Sequence, residues 1–419
     1  MQSDLASSGW QPVKADVQCD SPLMNLVAAE KAAGGAFVLL DDQRSDRGIF
    51  FAEPDEIIVA DHASQVASAL CRAEEMIASG ATLAGYVAYR AGSSFDVLSA
   101  QQRLLWGRGA PSLWLARFRR VVQGPVTSNG EAEPYFGAVT PLIQRKDYEA
   151  MVNAALEHIR AGDIYQVNLT FPLVLSILDA LQCYWARRTF AAAPFGAVVE
   201  TGRHSILSFS PEKFFGLGDG MIDARPMKGT RPRAADQSLD LAAALELEAS
   251  GKDRAENLMI VDLLRNDISR ICEAGSVSVP ALFRIEPYPT VWQMTSSIRG
   301  RIRQGETPVS IIRALFPCGS ITGAPKIMAS RIIALLERWD RGPYTGSIGW
   351  LARDAASMNV AIRTVHCARG SSLSRLDVGA GIVAESDPSQ EWAECLAKAR
   401  FAGRVRERPA RIHPVSTSA

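Results

Sequence analysis

The chain is poor in the residues that hold soft metals. Five histidines show no metal-type spacing, and seven cysteines are scattered through 419 residues with no C-x-x-C pair. Zinc is thereby disfavoured, and an odd, dispersed set of thiols fits a reducing compartment better than a disulfide framework. Neither sign of charge is in excess: 45 basic residues face 45 acidic ones. A broad basic face for nucleic acid or for an anionic membrane is therefore not expected. No apolar run is long enough to span a bilayer; the richest, Phe171 to Trp185, is interrupted by Asp179. The opening Met1-Gln2-Ser3-Asp4-Leu5 lacks the basic and apolar regions of a secretory signal. These absences together predict a soluble cytoplasmic protein with no nucleic-acid and no membrane partner.

What is present is a large core. Hydrophobic residues make up 47% of the chain, enough to exclude disorder over most of its length. Ala36–Leu40, Gly85–Tyr89, Leu113–Phe118 and Ile164–Thr170 read as strands, rich in aromatic and β-branched residues. Apolar residues at Tyr148, Met151, Val152, Ala155 and Ile159 recur with helical spacing and stop at Gly162. Further helices are expected at 253–272, 326–338 and 389–402. The Gly-, Pro-, Asn- and Ser-bearing stretch from Gln123 to Pro141 is the best linker, and the tail from Pro409 is polar.

Several constellations point to chemistry. In Arg225-Pro226-Met227-Lys228-Gly229-Thr230-Arg231-Pro232-Arg233 one lysine stands among three arginines. Cationic neighbours disfavour an ammonium, so Lys228 is a candidate nucleophilic amine, against the plainer reading of a solvated basic loop. Asp253 with Glu256, and Glu391 with Glu394, are carboxylate pairs one helical turn apart, with Lys398 a further turn along. Four such oxygen donors suit a hard divalent ion such as Mg²⁺; singly, each pair reads more readily as an acidic first turn complementing a helix dipole. Glu212 precedes Phe214-Phe215, and partly apolar surroundings would fit it to donate a proton. Arg363, in the strand-like Asn359–Thr364, is suited to clamping a carboxylate. Gly319-Ser320-Ile321-Thr322-Gly323-Ala324-Pro325-Lys326 leads into an apolar helix as a candidate anion cradle, without P-loop spacing.

In their order along the chain these pieces resemble the chorismate-utilising enzyme family, over residues about 145 to 402. The matching stretches are Asp163–Leu169, Ser210-Pro211-Glu212, Pro226–Thr230, Lys252–Leu263, the Gly319–Lys326 loop, Tyr344–Gly349 and Gly379-Ala380-Gly381. The resemblance implies an α+β fold, two large antiparallel sheets packed as a sandwich with helices outside and the site between them. Residues 1–125 would be the variable amino-terminal part, 140–405 the chorismate-binding catalytic region and 406–419 a polar tail. The linker then becomes a connection inside one fold. Family members bind chorismate through Mg²⁺, which places Glu256 and Glu394 as ligands, with Asp253 and Glu391 helping through water. Gln166, Gly229, Thr230, Tyr344, Arg363, Gly379, Ala380 and Gly381 fall on substrate-holding positions. Where members often read Tyr-Glu-Ala-Gly, this chain has Tyr89-Arg90-Ala91-Gly92.

The same resemblance discriminates among reactions. Water-adding members carry a lysine base where this chain has Gln166, and glutamine takes no proton from water. Anthranilate-forming members usually have alanine at Lys228 and a histidine near Gln293. Lysine at 228 is the mark of the branch that aminates chorismate at C4. That branch would use Lys228 as nucleophile and Glu212 as acid, giving 4-amino-4-deoxychorismate on the way to 4-aminobenzoate and folate. No G-x-C-x-G elbow accompanies any cysteine, so a separate glutaminase subunit supplying ammonia is the expected partner. A fused lyase is not expected after residue 402, so conversion to 4-aminobenzoate is expected to need another enzyme. The alternatives are an anthranilate synthase component I and a non-catalytic chorismate-binding regulator.

Overall fold

A computed structural model describes residues 9–11, 13–15, 17–19, 21–95, 109–126, 137–288 and 291–406. The polar tail from Pro409, the opening Met1–Leu5 and most of the expected linker lie outside the described residues.

Strand after strand, apolar residues alternate between two faces, as a pleated sheet covered on both sides requires. From Phe37–Asp42, Phe37 and Leu39 pack outward under helices, while Val38 and Leu40 pack inward. The inward set also takes Phe51, Tyr86, Trp114, Val199, Ile206 and Trp350. These come from two sheet halves that share one inner core, each with its own outer core beneath helices.

One half contains Gln166–Leu175, Ser374–Ile382, Thr364–Ala368, His204–Ser210, Phe195–Glu200 and Phe37–Asp42, paired antiparallel in that order. The other runs from Leu83–Val87 through Ser347–Leu351, Ala356–Asn359 and Lys213–Gly218 to Met221–Arg225, Val291–Arg301 and Met227–Pro232. Hydrogen bonding never breaks between them, because the long strands Arg47–Ala60 and Leu113–Pro125 serve both. Their register slips between Pro54 and Glu56, beside Glu53 at φ 58°, and this irregularity bends the ribbon. The architecture is thus α+β, a folded antiparallel sheet with helices outside.

Three features position the site. The chain crosses from one half to the other at Pro211-Glu212, between His204–Ser210 and Lys213–Gly218. It crosses back at 360–363, between Ala356–Asn359 and Thr364–Ala368. The two crossings are stitched together: Ser210 Oγ donates to Val360 O at 2.6 Å and Val360 N donates to Glu212 O at 3.0 Å. The strand-like reading of Asn359–Thr364 is therefore corrected, since its middle is a crossing and Arg363 sits there at φ 50°. Finally, the two acidic helices start cleanly. Ser250 caps Gly251–Ser269 through Asp253 N, and Asp387 caps Pro388–Ala399 through Ser389 N and Gln390 N.

Candidate functional site

The Pro-Met-Lys-Gly-Thr run forms an irregular strand, Met227–Pro232, whose register against Val291–Arg301 shifts between Met227 and Thr230. Gly229 has φ +80°, and a Cβ there would lie 2.9 Å from Asp253 Cβ. Glycine is thus required twice, for the backbone and for the close approach to the Gly251–Ser269 helix. Gln293 clamps the same point: its Nε2 donates to Gly229 O and its Oε1 accepts from Thr230 Oγ1, both at 2.9 Å. Lys228 is thereby aimed inward and is half-buried.

Its destination is Gly381. A Cβ on Gly381 would meet both Lys228 Nζ and Gln166 Nε2 at 3.0 Å. Amine, amide and bare backbone therefore share one point, although they come from three separate strands. Gln166 is fully buried, and neither its Oε1 nor its Nε2 has a hydrogen-bond partner among the described residues. Such an orphaned amide is costly unless a ligand completes it. Gly379 and Ala380 continue the strand, opposite Thr170 and Leu169.

Glu212, 5% exposed, lies at the first crossing and accepts a 2.9 Å hydrogen bond from Ser320 Oγ. Burial pushes its carboxyl up to about 7, opposed by the Ser320 hydrogen bond and by the charge of Lys228. At neutral pH it is poised to give or take a proton.

The carboxylates of the two acidic helices play different parts. Burial raises Glu256, which Lys228 and Lys252 pull down and Asp253 and Glu394 push up. Glu394 is held below the usual range chiefly by Lys398, 2.8 Å away, with Lys228 contributing. Glu391 is raised by burial and accepts from Ser386 Oγ at 2.6 Å. Asp253 pairs with Arg231 at 3.1 Å. Among the described residues no three acidic, histidine or cysteine side chains already close on one point. Glu256 and Glu394 nevertheless repel one another from opposite helices, beside the same lysine. Carboxylates that act on one another from two separate helices fit Mg²⁺, which commonly takes one or two protein oxygens and keeps several waters.

Arg363 is half-buried, and no carboxylate among the described residues pairs with it. Burial lowers its pKa, with Tyr288 opposing. A non-glycine residue at positive φ carries backbone strain, and here the strained residue is an unpaired guanidinium at the seam. Tyr344 is buried in the loop leading to Ser347–Leu351.

Two expectations are corrected. The arginines around Lys228 do not supply a repulsive field, because each is engaged: Arg225 with Glu286, Arg231 with Glu246 and Asp253, Arg233 with Asp240. The charges that register Lys228 are those of Glu212, Glu256 and Glu394. Nor is Gly319–Lys326 an anion cradle. Lys326 Nζ is bound to Asp267 at 2.5 Å and to Leu315 O at 2.9 Å, while Gly323-Ala324 pair with Val167 and Gln166. The loop is a buried seat that brings Ser320 to Glu212. Ser320 and the Gln293 clamp were not foreseen as partners; only the fold brings them to Glu212 and Gly229.

Residues 114–404 match the chorismate binding enzyme family. The chain belongs to that family. An aminodeoxychorismate synthase from Streptomyces pristinaespiralis is 42% identical over 256 residues, covering 60% of this chain and 35% of that protein. Anthranilate synthase component 1 of Saccharolobus solfataricus is 39% identical over 254 residues, covering 60% of each. The matched region thus spans about a third and three fifths of these two relatives. The crystal structure of anthranilate synthase component I from Streptococcus pneumoniae superposes with a TM-score of 0.74 at 23% identity, over 85% of this chain and 92% of that one, a likeness of fold. By family the chain is therefore a chorismate binding enzyme, and the names of these relatives divide between aminodeoxychorismate synthase and anthranilate synthase component 1. No helix among the described residues is long and apolar enough to cross a membrane.

Proposed function

We propose that the chain is the chorismate-aminating component of an aminodeoxychorismate synthase, forming 4-amino-4-deoxychorismate by way of a lysine-bound intermediate. The observation that carries this reading is the convergence of Lys228 Nζ and Gln166 Nε2 on Gly381, with Glu212 within reach of the same lysine's charge.

In the proposed sequence the substrate lies on Gly379–Gly381, with Arg363 and Tyr344 holding its carboxylates and Gly229 and Thr230 lining the opposite side. Glu256 and Glu394, with Asp253 and Glu391 through water, would hold Mg²⁺, which supplies a positive charge to offset the ring carboxylate. Lys228 Nζ, once its ammonium proton has passed to solvent, forms a bond to C2 as the ring double bonds shift and the C4–O bond breaks. Glu212 gives its proton to the departing oxygen, so water leaves. Ammonia then bonds to C4, the double bonds shift back, and the C2–N bond to Lys228 breaks. Glu212, now a carboxylate, takes the surplus proton from the incoming nitrogen. Gln166 offers hydrogen bonds but no base, which disfavours water as the nucleophile. A glutaminase partner supplies the ammonia, since free ammonia is mostly ammonium at neutral pH.

The 39% identity to an anthranilate synthase component 1 favours one second reading, anthranilate formation. Chorismate, Mg²⁺ and an ammonium salt at alkaline pH separate the two. The expected product releases 4-aminobenzoate when a lyase is added, and its formation is lost in Lys228→Ala. Strong anthranilate fluorescence, or full activity in Lys228→Ala, would sink the proposal.

A further inference from the structure

Tyr344, which the proposed function sets against the substrate, lies on a segment, 340–346, that is neither helix nor strand. Its placement depends on a few fixings. Thr345 N donates to Ala361 O at 2.8 Å, and Ala361 N donates to Gly346 O at 2.9 Å, which pins the far end to the second crossing. Thr345 itself has φ 59°, an unfavourable conformation that its surroundings must enforce. The near end is held from Tyr89-Arg90. Tyr89 N donates to Gly342 O at 3.0 Å, and the Arg90 guanidinium binds Asp340 Oδ2 at 2.6 Å. The other oxygen of Asp340 accepts from Gly342 N at 2.8 Å, so the carboxylate passes the restraint directly into the turn before Tyr344.

Arg90 does more than pair with one acid. Its Nε donates to Ser112 Oγ at 2.7 Å, and its Nη2 donates to Asp61 O and Ala110 O at 2.8 and 2.6 Å. One planar fork thus ties the end of the long bent ribbon to the Tyr344 loop. Exposures of 19% for Arg90 and 11% for Asp340 leave little water to weaken the pair. A lysine offers a single nitrogen and cannot span these four acceptors.

We propose that Arg90, acting through Asp340, is a positioning residue for the Tyr344 loop and so sets how tightly chorismate is held. This rests on the proposed function, in which Tyr344 contacts the substrate. The test measures chorismate consumption, irrespective of product, for the wild type, Arg90→Ala, Arg90→Lys and Asp340→Asn. Losing a charged hydrogen bond that orients a binding loop should raise KM about tenfold, with kcat changing by a smaller factor. Arg90→Lys should fall between wild type and Arg90→Ala, and Asp340→Asn should follow the same direction with milder effect on folding. A merely structural role would lower the melting temperature and the active fraction while leaving KM alone, and that result in Arg90→Lys and Asp340→Asn overturns the inference. Wild-type protein that turns over chorismate with variants of unchanged KM removes only the clamp. Wild-type protein that consumes no chorismate removes the proposed function and the clamp with it.

Discussion

Replacing Glu212 with glutamine separates what this carboxyl does for chemistry from what it costs the fold. Its ordinary pKa of 4.5 becomes about 7 in the folded protein, with burial as the first cause. The folded chain therefore keeps a proton that the unfolded chain has already released over the window between those values. Stability from this group is full below about pH 4.5, falls as pH rises toward about 7, and is flat beyond. The displacement corresponds to roughly 3 kcal/mol in total. Glutamine is nearly the same shape, never ionises, and keeps an oxygen to accept from Ser320 Oγ. Glu212→Gln should match wild type near pH 4.5 and exceed it by up to roughly 3 kcal/mol above pH 7. Other buried acids, such as Asp267 and Glu391, slope both proteins alike, so the difference isolates position 212. Activity should move the opposite way, dropping on the order of 10²–10⁴-fold with loss of the limb of the pH–rate profile that reports a group near 7. Urea denaturation across this range, beside initial rates, measures both. A glutamine variant that is no more stable than wild type at alkaline pH, or that keeps the limb, refutes the reasoning.

Two further substitutions test the scaffold. Gly229→Ala meets a φ of +80° and places a Cβ 2.9 Å from Asp253 Cβ; chemical denaturation should show a loss of about 1 kcal/mol or more, and chorismate turnover should fall because Lys228 is displaced. Glu337 and Arg341 form a fully buried ion pair that also binds Thr170, Asn168 O and Ile321 O, directly behind the glycine strand. Glu337→Ala should cost roughly 3–5 kcal/mol, read as a lowered denaturation midpoint, and a change under about 1 kcal/mol would show the pair is not holding that seat.

Much of the framework was legible because local signals are periodic. The Tyr148–Ile159 stripe became the helix Arg145–Arg160, and the apolar run at Leu113 became a strand extending to Pro125. The strand after Gly162 begins at Gln166, close to its expected start. What was not legible is pairing at a distance. Arg225, Arg231 and Arg233 read as a cluster of unopposed charge only while their acidic partners, Glu286, Glu246, Asp253 and Asp240, remain elsewhere in the sequence. Composition already held the correction, since acids and bases are equal in number, but spacing could not say which acid meets which base. The glycine-rich loop failed similarly. Its backbone looked available to an anion because nothing in the sequence shows that Gly323-Ala324 are occupied by a neighbouring strand.

The charges at the seam make a stronger case together than any motif does singly. A basic run whose arginines are all paired is structural, and by that test the three arginines around Lys228 drop out of the chemistry. The same test leaves two cations standing in the site. Arg363 has no carboxylate among the described residues, and Lys228 faces carboxylates without an ion pair to any of them. Beside Lys228 lies Gln166, with both amide atoms unmet among the described residues. The same fold satisfies Arg341, Arg188 and Lys326 fully, yet buried polar atoms of Tyr86, Asn257 and Trp350 also lack a partner among the described residues. It is therefore the meeting of Lys228 and Gln166 at one glycine that singles this place out. The Lys228 amine and the Gln166 amide converge on Gly381, where a Cβ would meet both at 3.0 Å. Unused hydrogen-bonding capacity, more than the basic composition of the Lys228 run, is what supports the proposed place of the substrate.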